Sequence, residues 1–293
     1  MNSPKRQLKR FVFVLPALAF FSIFFLFPAG KAVYYSFTQW DGLTQPTWIG
    51  LDNYYRAFSD SVFLHSFVNT FLYIGGTLIA EVLFGLSMAI LLNKEWRFFG
   101  TFRVLFFSPM VISMVAVGVL WGLMYDYNLG LINSFLRSIG LAGWTRAWLG
   151  EKSTALMSIT VVSGWRYAGF YMIIFYAALK RIPRQLYEAA DIDGANGLQK
   201  IFRITLPLLA DNINIAILLC VTGGFKAFAL FYTMTNGQPN HATEIVTTWI
   251  IKQAFDFDNM GYGSALTVIM TIVVMILATI QIIYSRRRKT TEY

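Results

Sequence analysis

The sequence predicts an all-α integral membrane protein that crosses the bilayer six times. Three observations carry this. Only 13% of the 293 residues are charged and 56% are hydrophobic, with mean hydropathy +0.55, whereas about a quarter of the residues of a soluble domain are charged. The apolar residues gather into six runs, each near the roughly 20 residues that span a hydrocarbon core. Basic residues collect at the ends of alternate runs, the pattern that retains those segments in the cytoplasm. The formal charge of +9 is thereby spent on topology, and no nucleic-acid partner is expected.

The first span is expected over residues 11–35, after Lys5, Arg6, Lys9 and Arg10. The apolar core of a secretory signal peptide is only about 7–15 residues long. This run is longer and lacks a convincing cleavage site, so it is expected to stay as a span. Pro16 and Pro28 are tolerable there because neighbouring helices can satisfy the freed carbonyls. Residues 38–66 are polar and aromatic, with Trp40-Asp41-Gly42 and G-L-D-N-Y at Gly50–Tyr54, and a single basic residue, Arg56, against Asp41, Asp52 and Asp60. The second span is 67–92, followed by a basic turn with Lys94, Arg97 and Arg103, and the third is 102–125.

In the connector 126–153, Leu131, Ile132, Phe135, Leu136 and Ile139 recur at helical spacing with Arg137 and Ser138 opposite. That predicts a short amphipathic helix at the membrane surface. The fourth span is 154–179. Residues 184–207 then form the longest polar, mixed-charge stretch, bracketed by Pro183 and Pro207. Within it Leu186–Ala190 favour a short helix, which Gly194 and Gly197 are expected to end. The fifth span is 213–232. An outward loop holds Met234–Asn240 and Asp256–Gly263, and the sixth span, 265–284, runs into Arg286–Lys289. On this layout the inner segments hold sixteen basic residues and the outer loops five, which puts both termini in the cytoplasm.

The chain has no phosphate-cradling G-x-x-x-x-G-K-[ST] and no G-x-S-x-G elbow. Its one cysteine, Cys220, lies in an apolar run, and His65 and His241 stand far apart. Neither a metal site nor a cofactor of its own is expected, and the chain is read as a non-enzyme. Three ionisable residues fall inside spans: Glu81, Arg166 and Lys226. A charge at the bilayer centre costs about 2.5–3.5 kcal/mol, so such groups face the bundle interior. At 1.5 Å rise per residue, Glu81 and Arg166 come within about 3 Å in depth. Glu81 is therefore expected to pair with Arg166 or Lys226; lining a path, or pairing across a subunit interface, are the alternatives. Aromatics crowd the third to fifth spans. A sugar presents an apolar face and a rim of hydroxyls, and flat aromatic walls with hydrogen-bonding tips suit it. The candidate path is Glu81, Trp121, Tyr125, Trp165, Arg166, Tyr171, Phe225, Lys226, Phe228 and Tyr232.

The sequence E-A-A at Glu188, Ala189 and Ala190, D-G-A at Asp193, Gly194 and Ala195, and I-x-L-P at Ile204–Pro207 resembles the signature loop of ABC-importer permeases. Gly50-x-x-Asn53-Tyr54 followed by Asn69-Thr70 is similar to sugar permeases at the same place. From first span to basic tail the chain resembles the carbohydrate-uptake branch, the maltose-permease type. That resemblance implies the type I importer permease fold, with residues 1–293 as one transmembrane domain. It implies that the loop is a coupling helix seated in a cytosolic ATPase subunit. It also implies a heterodimer with a second permease subunit, two ATPase subunits binding ATP and Mg, and an extracytoplasmic substrate-binding protein. Transport would be by alternating access in a bacterial or archaeal plasma membrane, with lipid around the spans. A glycerol-phosphate-ester importer permease is the alternative within transport; a six-span channel or scaffold is the alternative outside it.

Overall fold

The computed structural model describes the backbone of residues 4–93 and 99–289 and the side chains of 13–93 and 100–285. The turn carrying Lys94 and Arg97 lies outside the described residues. The regular structure among the described residues is helical, apart from one two-stranded ribbon, Thr38–Gln39 (β1) against Thr47–Trp48 (β2). Among the described residues three helices are long and apolar enough to cross a membrane: Phe13–Tyr35 (α1), Ser61–Leu91 (α3) and Met260–Ser285, within Met260–Lys289 (α13). Counting two sharply bent pairs as one span each raises the number to five. Packing divides the chain into two compact units, Met1–Ser61 with Ile250–Ile272, and Val62–Trp249 with Val273–Tyr293.

In the first unit the polar, aromatic stretch after α1 is held by one asparagine. Asn53, in Asp52–Ser59 (α2), donates from Nδ2 to the carbonyls of Ser36 at 3.0 Å and Thr38 at 2.9 Å. The ribbon is thereby tied to the helix through the G-L-D-N-Y motif. Asp41 turns the chain between the strands. Its carboxylate accepts the amides of Thr44 at 2.8 Å and Leu43 at 2.9 Å, and these hold its pKa down to about 2. Arg56 lies 4.0 Å above the ring of Tyr262, whose hydroxyl donates to Asp60 at 2.8 Å.

The second unit is built on α3 against Ala155–Leu179 (α7). Small residues let the two backbones approach, as membrane helices require in the absence of a hydrophobic drive between them. A β-carbon on Gly85 would sit 2.9 Å from the carbonyl oxygen of Ala168, and one on Gly164 would sit 2.6 Å from the β-carbon of Ala80. Val82, Leu86 and Ala89 pack there with Met172, Phe175 and Leu179. At 25 residues, α7 is about 37 Å long, enough to cross. Its polar residues Ser158, Thr160, Ser163 and Arg166 are all buried.

The expected third span is not one helix. It is Phe99–Val111 (α4) followed by Met114–Met124 (α5), bent by 99° at Ile112–Ser113. Proline at 109 removes a backbone donor in the last turn of α4, and Ser113 is extended at φ −54°, ψ 137°. Leu131–Ser138 (α6) is the amphipathic helix the spacing predicts. Arg137 does not face solvent alone: it donates to the carbonyls of Tyr127 and Asn128. The expected fifth span is likewise broken. Gly197–Leu208 (α9) meets Ala210–Phe225 (α10) at 69°, and after a break at Lys226 the chain continues as Ala229–Met234 (α11). The second span begins earlier than expected, at Ser61, and the sixth at Met260.

The Asn69-Thr70 pair bolts a loop to α3. Asn69 Nδ2 donates to the carbonyls of Glu244 at 2.9 Å and His241 at 3.2 Å, and Thr70 Oγ1 accepts the Val246 amide at 3.1 Å. The loop then enters Val246–Ile251 (α12).

Candidate functional site

A cavity of about 440 Å³ opens in the second unit between α3, α7 and α10. Its polar wall begins with Glu81, which sits in a π-turn over Leu78–Leu83 and is 5% exposed. π-Turns of this kind recur at functional positions in helices. Glu81 Oε1 accepts from Ser163 Oγ at 2.7 Å, Ser163 Oγ shares a hydrogen bond of 2.9 Å with the Tyr73 hydroxyl, and Oε2 faces Cys220 Sγ at 4.0 Å. Lys226, at the break after α10, lines the same cavity with Tyr171 and Phe228.

Of the ten expected path residues, Glu81, Tyr171, Lys226 and Phe228 come together here. Trp121, Tyr125 and Trp165 form a separate aromatic group. Trp121 meets Trp165 edge-on at 5.5 Å and Tyr125 at 5.4 Å, and the Tyr125 hydroxyl donates to Ser158. Phe225 is buried against Phe71, and Tyr232 stacks on Phe228 from the outside, half exposed. Arg166 points elsewhere too. The expected pair with Glu81 does not form, because the guanidinium of Arg166 donates to the main-chain carbonyls of Pro109, at 3.1 Å, and Ile112. The broken helix end supplies Arg166 with its acceptors instead. Tyr73, Thr77 and Ser163 were missed, and Tyr167, one of the aromatics of the fourth span, was left out of the candidate path. Tyr73, Thr77 and Glu81 follow at i, i+4 and i+8, as do Ser163, Tyr167 and Tyr171, so one helical face through Glu81 or Tyr171 contains them.

The second candidate is the polar loop. Arg184–Ile192 (α8) starts after Pro183, and of its residues only Ala190 is buried. Glu188, Ala189, Asp193 and Ala195 stand on the surface or beside it. Gly194 ends the helix at φ +74°, a conformation glycine takes at no steric cost, and the Ala195 amide closes back on the Ala190 carbonyl at 2.9 Å. Gly197 does not end this helix. It opens the next, where Asn196 and Gln199 form a reciprocal cap. Lys200 pairs with Asp191, and the hydroxyls of Tyr187 and Thr205 meet at 3.0 Å, so α8 and α9 make one braced corner. Ile192, Leu198 and Phe202 project from it, at 87, 68 and 66% exposure, an apolar surface of the kind that marks a protein contact. Among the described residues no group of three His, Cys, Asp or Glu is placed to hold a metal.

The profile of the family "Binding-protein-dependent transport system inner membrane component" matches residues 81–290. The chain belongs to this family. The match covers both the cavity wall from Glu81 onward and the braced corner. Among curated relatives, a probable ABC transporter permease protein of Bacillus subtilis, YurN, is 36% identical over 95% of this chain and 96% of its own length. The diacetylchitobiose uptake system permease protein NgcF of Streptomyces coelicolor is 32% identical over 92% and 80%. The fold of this permease is shared with a crystallised bacterial ABC transporter involved in import of the acidic polysaccharide alginate, at TM-score 0.82 and 24% identity over 97% of this chain and 96% of that one.

Proposed function

We propose that this permease carries a sugar or oligosaccharide, delivered by an extracytoplasmic binding protein, through the cavity at Glu81. Saccharide import is supported by the make-up of that cavity, whose lining combines the hydrogen-bonding groups of Glu81, Ser163, Tyr73 and Lys226 with the rings of Tyr171 and Phe228. A carboxylate facing the same space as Lys226 disfavours a phosphate ester. The braced corner at Glu188–Ala195 is read as the coupling element that docks in an ATPase. ATP and Mg belong to that partner, of which two copies serve this permease and a second permease subunit. Purification of the tagged chain from its own membrane tests this: a nucleotide-hydrolysing subunit is expected to accompany it, and purification without one would favour a channel or scaffold.

The proposed topology has six crossings, with α4–α5 and α9–α10 each counted as one and α7 as the fourth, and both termini in the cytoplasm. Single cysteines in a Cys220→Ala background test it. Leu43, 93% exposed, and Leu129, 88% exposed, are expected to react with an impermeant maleimide added to intact cells, and Ile192 only after lysis. Labelling of position 192 in intact cells would overturn the topology.

A further inference from the structure

The break between α4 and α5 has an unusual closure. The last carbonyls of any helix lack intrahelical partners and carry the negative end of its dipole, and within a bilayer protein groups must satisfy them. In a straight helix the Pro109 and Ile112 carbonyls would accept from the amides of Ser113 and Ala116. Instead both accept from one guanidinium, that of Arg166, which is 8% exposed on α7. The carbonyl of Leu105, deprived of a donor by Pro109, accepts from Ser108 Oγ at 3.0 Å. Every backbone acceptor named here thus has a partner in the bent form; in a straight one the backbone would supply the partners of Pro109 and Ile112, and Ser108 would still serve Leu105. The hydrogen-bonding cost of straightening this segment is therefore small, which is what a switching element needs.

The same arginine sits beside the cavity wall. Ser163, Tyr167 and Phe170, on the same helix, line the cavity, and so does Met114, the first residue of α5 beyond the break. We propose that Arg166 is a positioning residue for transport. By capping the end of α4 it fixes the hinge at Ile112–Ser113 and holds Met114 in the wall of the path. This rests on reading the cavity as that path. Arg166 touches no substrate; it acts through the two carbonyls.

Cys220 lines the cavity and is the only thiol in the chain, so N-ethylmaleimide reports on the wall without any substrate being known. In membranes holding the assembled transporter, ATP is expected to change the Cys220 labelling rate. Arg166→Met is expected to label about tenfold faster, the loss of a charged hydrogen-bonding partner, and to respond no further to ATP. Arg166→Lys keeps the charge but not the fork, and should fall between. A merely structural arginine would lower the amount of protein and leave the ATP response of the remainder intact; that result overturns the proposal. So does restoration of the ATP response by adding Glu81→Gln to Arg166→Met, which would reinstate the ion pair. If Arg166→Met does not accumulate, Arg166→Lys decides alone: a wild-type rate and response overturn the proposal, and an intermediate rate with a blunted response supports it. Absence of an ATPase from the wild-type preparation would count against the importer reading, whereas the ATP-free labelling rates would still test the hinge.

Discussion

Gly169→Leu is expected to prevent the protein from accumulating in the membrane, and Gly169→Ala to lower its level several-fold. Gly169 lies on α7 where α4 crosses it. A β-carbon there would lie inside van der Waals contact with the carbonyl of Phe106 and 2.9 Å from the backbone nitrogen of Phe107. Neither neighbour is a side chain that could swing aside, so one helix must back away along its length. Overpacking of this kind costs about 1–3 kcal/mol, against a total stability of about 5–15 kcal/mol for an ordinary domain. Gly122 is the control, since nothing lies within 4 Å of its added β-carbon and alanine there gains about 1 kcal/mol of helix propensity. Quantitative blotting of membranes, with thermal aggregation of the solubilised protein, measures both. Equal levels for Gly169→Ala and Gly122→Ala would show that the contact at Phe106 is not close.

Gly194→Val and Glu188→Lys are expected to leave the amount of inserted protein unchanged and to cut uptake of the carried saccharide at least about tenfold. Space is not the issue at Gly194, where an added β-carbon meets nothing within 4 Å. The cost is conformational: at φ +74° an L-residue pays roughly 1–2 kcal/mol, and a β-branched one resists most. The corner would open, and α8 would leave its brace against α9. Glu188→Lys leaves the corner intact and reverses a charge on its exposed face. Both act through ATPase docking, so the ATPase subunit should co-purify less with each variant. Wild-type uptake would refute the docking role, and failure to insert would assign the residues to folding.

The all-α membrane character was legible because hydropathy is a sum over a segment, and a kink does not change the sum. The breaks were not legible for the same reason. The expected count of six was not reached, since three helices, or five with the bent pairs, are long and apolar enough among the described residues. Pro109 reads the same in a kinked span as in a severed one, and the group that completes the severed end, Arg166, lies on another helix. Its partner choice is a fact of three dimensions: depth placed it level with Glu81, but main-chain carbonyls reached it first. The corner at 184–200 was legible in outline from Pro183 and Gly194. Gly197 was misassigned because glycine serves at either end of a helix; the N-x-x-Q spacing of Asn196 and Gln199 was the signal that it starts one. In the cavity, Glu81 and Lys226 stood out as charges, while Tyr73, Thr77 and Ser163 looked like ordinary residues of apolar helices. Trp121 and Tyr125 drew attention by size, yet large aromatics serve cores as readily as paths.

The Asn69-Thr70 bolt has a mechanical consequence. Three turns beyond Asn69 on the same helix stands Glu81, about 18 Å along the axis at 1.5 Å per residue. A helix is stiff over that length, so α3 works as a lever arm with the 241–246 loop at one end and the cavity wall at the other. A push that shifts the loop shifts the arm as a body, and no relay of side chains is required to carry it. The π-turn at Leu78–Leu83 ends the arm, and the spare residue in its coil sets the direction in which Glu81 meets the cavity.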